Sequence, residues 1–366
     1  MLTTLYIFSE VVYLFWVLSV PVSNELVAGF VSLFNSFKRD LGFVSDLLSL
    51  VRDVNVYRLG LGGRGVDVVA SDSSRVVKKF RVAVVFGVQV SGVRFGARRG
   101  VVDDAEAGYC IIPPASGSAP VDSIVRRVAM FLSRELEVSA MQRLADGGEV
   151  ALFDGSLFSF LWYAKHPEIP ENMVFAKRVK PSMVRDLWRS TASRIADVAK
   201  KARAIFIAKT IRRSYYVEKL IPEYSTSNAI NDLLVLDLLR RRGSLPREPH
   251  FIEPVHIEKV SDLPLPLARL DPEDEQYIEK LLPITVTYVA FSSRTPPYQV
   301  TAPGKLSVDE LSEVLSTLTP YSLSGYPDPL RVAHARCKLS WQEVSVILAK
   351  VGFVLSSGRE LLGEFM

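Results

Sequence analysis

Cysteine is nearly absent: the 366 residues include only Cys110 and Cys337, with no Cys-x-x-Cys pair and no Cys/His spacing of zinc type. This rules out a disulfide framework, leaves no sequence signature of a structural zinc site, and makes a reducing, cytoplasmic setting the expectation. Histidine is also scarce, and the four residues, at 166, 250, 256 and 334, are too scattered to suggest a histidine metal cluster. No charge sign dominates, since 44 Lys and Arg against 40 Asp and Glu leave +4, which permits a polyanionic partner without demanding one. Long apolar runs are missing except at the start, LYIFSEVVYLFWVLSVPV (residues 5–22). That run contains Glu10, follows no basic stretch and lacks a small-residue cleavage site, so a buried or partner-facing helix is expected rather than a signal peptide or membrane anchor.

What is present is an ordinary folding composition, 48% hydrophobic and 23% charged, long enough for one enlarged α/β domain with insertions or for two domains. Residues 1 to about 55 read as helical, with Leu26, Phe30, Leu33, Phe34, Phe37, Leu41, Leu47 and Leu48 forming an apolar stripe. The stripe ends at RLGLGGRG, whose Gly60, Gly62, Gly63 and Gly65 lack the GK[ST] of a phosphate loop and read as a flexible entry to a strand. The pattern then becomes β-branched. Strands are expected at VDVVA (66–70), RVAVVFGVQV (81–90) and YCII (109–112), followed by a helix over 123–144 and a strand at EVALF (149–153). A helix ending near residue 203 and a strand at AIFIA (204–208) complete the series.

Three meandering strands followed by α-β-α-β form the element order of a ribonuclease H-like α/β fold. Right-handed crossovers give a mixed sheet of order 3-2-1-4-5, flanked by helices, with the first, fourth and fifth strands parallel. A C-terminal α/β extension is expected beyond it: a helix at 228–242, a Pro-rich connection at 245–272, a strand at 284–291 and helices near 307–318 and 329–352. The implied division is an N-terminal helical segment, 1–58, for dimer or partner contact, and a domain at 59–366 with its core at about 66–210.

Asp72 in VVASDSS and Asp154 in VALFDGSL each follow a buried strand, so parallel pairing brings both carboxylates to one sheet edge. Two acids there repel unless a cation offsets them, and hard oxygen ligands select Mg²⁺ or Mn²⁺, the ions of nucleic-acid cleavage. On the helix at 123–144 a 100° wheel places Ile124, Val128, Phe131, Leu132 and Val138 on one face with Glu135 among them. Glu137 falls opposite, with Arg126 and Arg134, so Glu135 is the expected third acid. Lys209, at the end of the fifth strand, is placed to neutralise a phosphate or orient water. Basic runs at Lys78-Lys79, Arg98-Arg99, Lys200-Lys201 and Arg240-Arg241-Arg242 read as solvated faces. Arg212-Arg213 with Tyr215-Tyr216 reads as a basic strip beside rings that stack unpaired bases.

Five islands, DSS (72–74), FDGSLFSF (153–160), AIFIAKT (204–210), NDLLVLDLL (231–239) and YPDPLRVAHA (326–335), together resemble the NurA nuclease family of archaea. The resemblance runs in order from about residue 66 to 340. It implies a manganese-dependent deoxyribonuclease, a 5′ to 3′ exonuclease and single-strand endonuclease that resects DNA ends in double-strand break repair. It further implies two Mn²⁺ ions, with Mg²⁺ as the alternative, a homodimer, and the hexameric DNA-translocating ATPase HerA as partner. The family's metal acids map onto Asp72, Glu135 and Asp154, and its C-terminal histidine, a ligand or proton carrier, onto His334. One departure is Ser73, where the family commonly has glycine after the first aspartate. The competing expectations are a ribonuclease H or junction-resolving nuclease of the same fold, and a non-catalytic scaffold for an ATPase.

Overall fold

The computed structural model describes residues 31, 50–60, 66–80, 83–112, 118–162, 173–175, 184–209, 214–221, 231–264, 267–292 and 295–350. The chain forms two compact units, residues 1–52 and 53–366. The apolar start, the expected N-terminal stripe and Gly62, Gly63 and Gly65 lie outside the described residues. Among the described residues no helix is long and apolar enough to cross a membrane.

The second unit is built on one sheet. Strand β1 (Val56–Arg58) is followed by three long antiparallel strands, β2 (Val68–Lys79), β3 (Ala83–Phe95) and β4 (Gly100–Ile111), and by helix α1 (Ser118–Leu144). Then come β5 (Val150–Asp154), the short α2 (Leu157–Phe160), β6 (Met173–Phe175), α3 (Val184–Lys201) and β7 (Arg203–Ala208). The remainder comprises α4 (Val217–Leu220), α5 (Asp232–Arg242), β8 (His250–Ile252), β9 (Val255–Ile257) and α6 (Pro272–Glu279). Strands β10 (Ile284–Ala290) and β11 (Tyr298–Pro303) and helices α7 (Val308–Leu318), α8 (Asp328–Cys337) and α9 (Trp341–Lys350) complete it. The strand order is β1-β8-β10-β11-β7-β5-β2-β3-β4-β6, with β9 paired to β10. Strands β2, β5 and β7 are parallel.

Several expected boundaries move. Val56–Arg58 pairs with β8 instead of ending a helix, and the Pro-rich connection contains β8 and β9. The strands of the expected C-terminal extension continue the same sheet, because β11 pairs antiparallel with β7. The helix expected over 329–352 is two helices. Ser340 caps the second by accepting from Glu343 N at 3.2 Å while its own N–H donates to Glu343 Oε2 at 2.8 Å.

Side-chain alternation along the parallel strands assigns two faces. Val68, Ala70, Val150, Leu152, Ile205 and Ile207 join Leu311, Val314, Leu315 and Leu318 of α7 and Leu330 and Ala333 of α8 in one core. Val69, Ala151, Phe153 and Phe206 join α1, α3 and α6 in the other. The sheet is thus buried on both sides where the parallel strands lie, as such strands require.

Candidate metal centre

The same alternation places the charged groups. Continuing Val68–Ala70 reaches Asp72, Val150–Leu152 reaches Asp154, and Ile205–Ile207 reaches Lys209, so all three are phased toward the face covered by α8. Asp72 does not end its strand, as expected from sequence; β2 continues to Lys79. It is β5 that stops. The β2–β5 ladder ends at Ser71 and Phe153, so Asp72 has a neighbour only on β3, where it pairs with Ser91. A notch opens beside β2 at that point, and the opposite helical layer reaches into it.

Helix α1 supplies the acid that uses this notch. Ser73 faces α1, and its hydroxyl donates to Glu137 Oε2 at 3.0 Å. Glu137 is only 3% exposed, and its Oε1 has no hydrogen-bond partner among the described residues. Burial above all, then the charges of Asp72 and Asp154, pushes its carboxyl well above the usual range, against the stabilising Ser73 bond. Asp72 is likewise raised, first by burial and then by Asp154, although it accepts from the Ser73 N–H at 2.7 Å and lies 2.7 Å from His334 Nδ1. Arg75, whose Nη1 donates to Ser133 at 3.2 Å, contributes positive charge on the Glu137 side.

On the other side of the notch, Lys209 Nζ sits 2.8 Å from Asp154 Oδ2 and 4.3 Å from the centre of the Tyr326 ring. Tyr326 in turn packs on Tyr298 with centroids 5.1 Å apart. Burial and the nearby Asp154 and Asp72 charges push its phenol far above the usual value, so it remains protonated. Gly155, with φ +124°, turns the chain directly after Asp154, and its N–H donates to Ile207 at 2.9 Å. Helix α8 is pinned over the site by Arg336, whose Nη2 lies 2.9 Å from Asp103 and whose carbonyl accepts from Gln89 at 3.2 Å. Two residues before, it presents His334 to Asp72, with Cys337 one turn further on. Burial first, then Asp72 and Glu137, push that thiol up to about 12, so it stays protonated.

The donor set fits a hard divalent cation. Asp72, Glu137 and Asp154 lie near enough for their charges to act on one another, two are buried, and one buried oxygen lacks a partner, an arrangement that costs several kcal/mol unless a cation or protons offset it; the group of described residues whose ligand atoms all lie within 4.8 Å of one another is Asp72, His334 and Cys337.

A family model of the NurA domain matches residues 66–339. The chain belongs to the NurA family. A DNA double-strand break repair nuclease NurA of Saccharolobus solfataricus is 22% identical over 307 residues, 80% of this chain and 82% of its own length. An uncharacterized protein of Methanocaldococcus jannaschii is 30% identical over 182 residues, which span 43% of this chain and 42% of that protein. The NurA nuclease crystal structure from Sulfolobus solfataricus superposes with a TM-score of 0.64 at 17% identity, covering 90% of this chain and 97% of that one. A NurA structure bound to dAMP and manganese superposes at 0.54 and 15% identity, covering 93% and 98%. These likenesses show that the mixed α/β fold, a central sheet flanked by helices, is that of NurA.

Not every residue expected at a NurA site converges. Asp72, Asp154, Lys209 and His334 lie together, but Glu135 does not join them. Its Oε1 pairs with Arg194 of α3 at 3.2 Å, between the helices, and Glu137 occupies the notch. The wheel weighted large apolar residues, whereas the stripe of α1 that meets β2 and β3 at the notch includes small and polar ones, with Ser133 bonded to Arg75 and Ala140 beside Gly92. Ala129, Ser133 and Ala140 are fully buried, and Glu137 shares their spacing. Tyr216 is fully buried, with its hydroxyl bonded to the Glu253 carbonyl, and Tyr215 stacks on Phe158 at 5.6 Å, so both rings serve packing. Arg212 and Arg213 lie outside the described residues. Ser73, Tyr326 and Cys337 had no assigned role in the sequence, although Tyr326 opens a motif island and Cys337 is spaced one helical turn from His334.

Proposed function

We propose that this chain is a divalent-metal-dependent deoxyribonuclease that processes DNA ends in double-strand break repair, with Asp72, Glu137 and Asp154 holding the metal and His334 beside them. The observation that carries this reading is the unpartnered Glu137 oxygen, buried beside two further carboxylates at an edge of the sheet. Support also comes from the break-repair nuclease among the relatives and from the fold shared with a NurA solved with manganese and dAMP.

Bound Mn²⁺, or Mg²⁺ in its place, supplies Lewis-acid polarisation of the scissile phosphate and a more acidic water, and two such ions are the expected complement. The chain's own groups do the rest. Ser73 holds one Glu137 oxygen and its backbone N–H holds one Asp72 oxygen, which fixes both carboxylates before any ligand arrives. Lys209, half exposed and steadied by Asp154 and the Tyr326 face, is positioned to meet a phosphate oxygen. His334 keeps one ring nitrogen on Asp72 while 59% of its side chain is exposed, so it can exchange a proton between the site and solvent.

The finer reading assigns 5′ to 3′ exonuclease and single-strand endonuclease action, a homodimer, and coupling to the HerA translocase. It treats β2-β3-β4-α1-β5-α3-β7 as a ribonuclease H-like core, a reading supported by the antiparallel β2-β3-β4 meander beside parallel β2, β5 and β7. Arg212 and Arg213 are assigned to DNA contact. The test is cleavage of linear duplex and single-stranded DNA with MnCl₂ by purified protein. Asp72→Ala and Asp154→Ala should abolish cleavage without lowering the melting temperature; full activity in either variant would overturn the reading.

A further inference from the structure

The sulfur of Cys337 lies where the proposed reaction has no use for it. The thiol, a carboxylate oxygen of Asp72 and a ring nitrogen of His334 all lie within 4.8 Å of one another. Cys337 and Asp72 are buried, whereas His334 is exposed, so the trio is walled on two sides and open on the third. A tetrahedral zinc ion, with bonds of 2.0–2.3 Å, sets such donors roughly 3.3–3.6 Å apart, so the trio closes around an ion by moving about 1 Å. The thiol's hydrogen bond is a weak one, to the His334 carbonyl at 3.5 Å.

We propose that Asp72, His334 and Cys337 form a site for a thiophilic divalent cation such as Zn²⁺ or Cd²⁺, which competes through Asp72 with the hard ion of the reaction. The choice follows from donor chemistry. Mg²⁺ and Mn²⁺ prefer oxygen and leave a thiol protonated, whereas Zn²⁺ and Cd²⁺ take sulfur. On binding, a metal–sulfur bond forms, the S–H bond breaks and its proton passes to solvent, with no change of oxidation state. The fourth position, on the exposed side of His334, remains open to water. The competition, though not the site itself, rests on the nuclease reading of Asp72.

The test is titration of metal-free, full-length protein with cadmium chloride, followed by the ultraviolet sulfur-to-cadmium charge-transfer band. The wild type and Cys110→Ala, which removes the other thiol, should give a band saturating at one equivalent. Cys337→Ser and Cys337→Ala should give none while retaining their circular dichroism melts. His334→Ala should keep the band but weaken cadmium binding by more than about tenfold. In cleavage assays with Mn²⁺, each protein normalised to its own zinc-free rate, zinc chloride should inhibit the wild type at concentrations at least about tenfold lower than Cys337→Ser. A band that survives loss of Cys337, or equal zinc inhibition of both proteins, overturns the proposal. A wild type that cleaves nothing with Mn²⁺ overturns the nuclease reading instead, and the cadmium titration still decides the site.

Discussion

At the scale of single residues, Glu135 and Glu137 separate two accounts of the same helix. Glu137→Gln should lower Mn²⁺-dependent cleavage by about 100-fold or more, because it removes a charged ligand without changing shape. Glu135→Gln, which loses only a pairing with Arg194, should change the rate by less than about threefold. The raised carboxyls of Asp72 and Glu137 also predict how metal-free protein responds to pH. An acid whose folded-state pKa exceeds its unfolded value leaves the native state with more bound protons through that window. Stability therefore falls as pH rises from about 4 through the raised values, and stays low above them. Metal-free wild type should melt lower at pH 8 than at pH 5, Mn²⁺ should restore much of the loss at pH 8, and Glu137→Gln should flatten the dependence. Differential scanning fluorimetry across pH reads all three; a flat wild-type curve contradicts the assignment. That Glu137 and not Glu135 faces Ser73 was not legible in the sequence, because its stripe of the helix runs through Ser133 and Ala140, small residues that a hydrophobic wheel passes over. The common face of Asp72 and Asp154 was legible because each follows an apolar strand that must be buried.

At the scale of elements, the site exists because β5 is short and β2 is long. The turn at Gly155 ends β5, and its φ of +124° is one that side chains rarely adopt. A Cβ there would lie 3.1 Å from Ser159 Oγ. Gly155→Ala should cost about 1–3 kcal/mol by chemical denaturation and weaken Mn²⁺ binding by shifting Asp154; unchanged stability and affinity would count against this role for the turn. The long strands and α1 were readable from periodicity. The three-residue β8 and β9 were not, since their pairing partners are β1 and β10, and a local pattern that short carries no period. The break between α8 and α9 was readable in principle. Ser340 and Glu343 form a capping box, and the Leu339 N–H donates to Ser74 at 3.1 Å, tying the break to β2 just beyond the site.

At the scale of the whole molecule, the second unit carries every group of the candidate site, whereas the apolar residues 5–22 lie outside the described residues. A role for that segment in dimerisation or in docking a translocase predicts that deleting residues 1–22 changes either the mass measured by light scattering or the affinity for HerA. Unaltered behaviour in both would refute it. The central claim is that two layers of the fold meet at one notch to hold a hard cation, and it is tested most directly by anomalous diffraction from crystals soaked in MnCl₂. The account predicts manganese peaks bounded by Asp72, Glu137 and Asp154, with Glu135 still paired to Arg194. Peaks coordinated by Glu135, or no manganese at the notch, would contradict it.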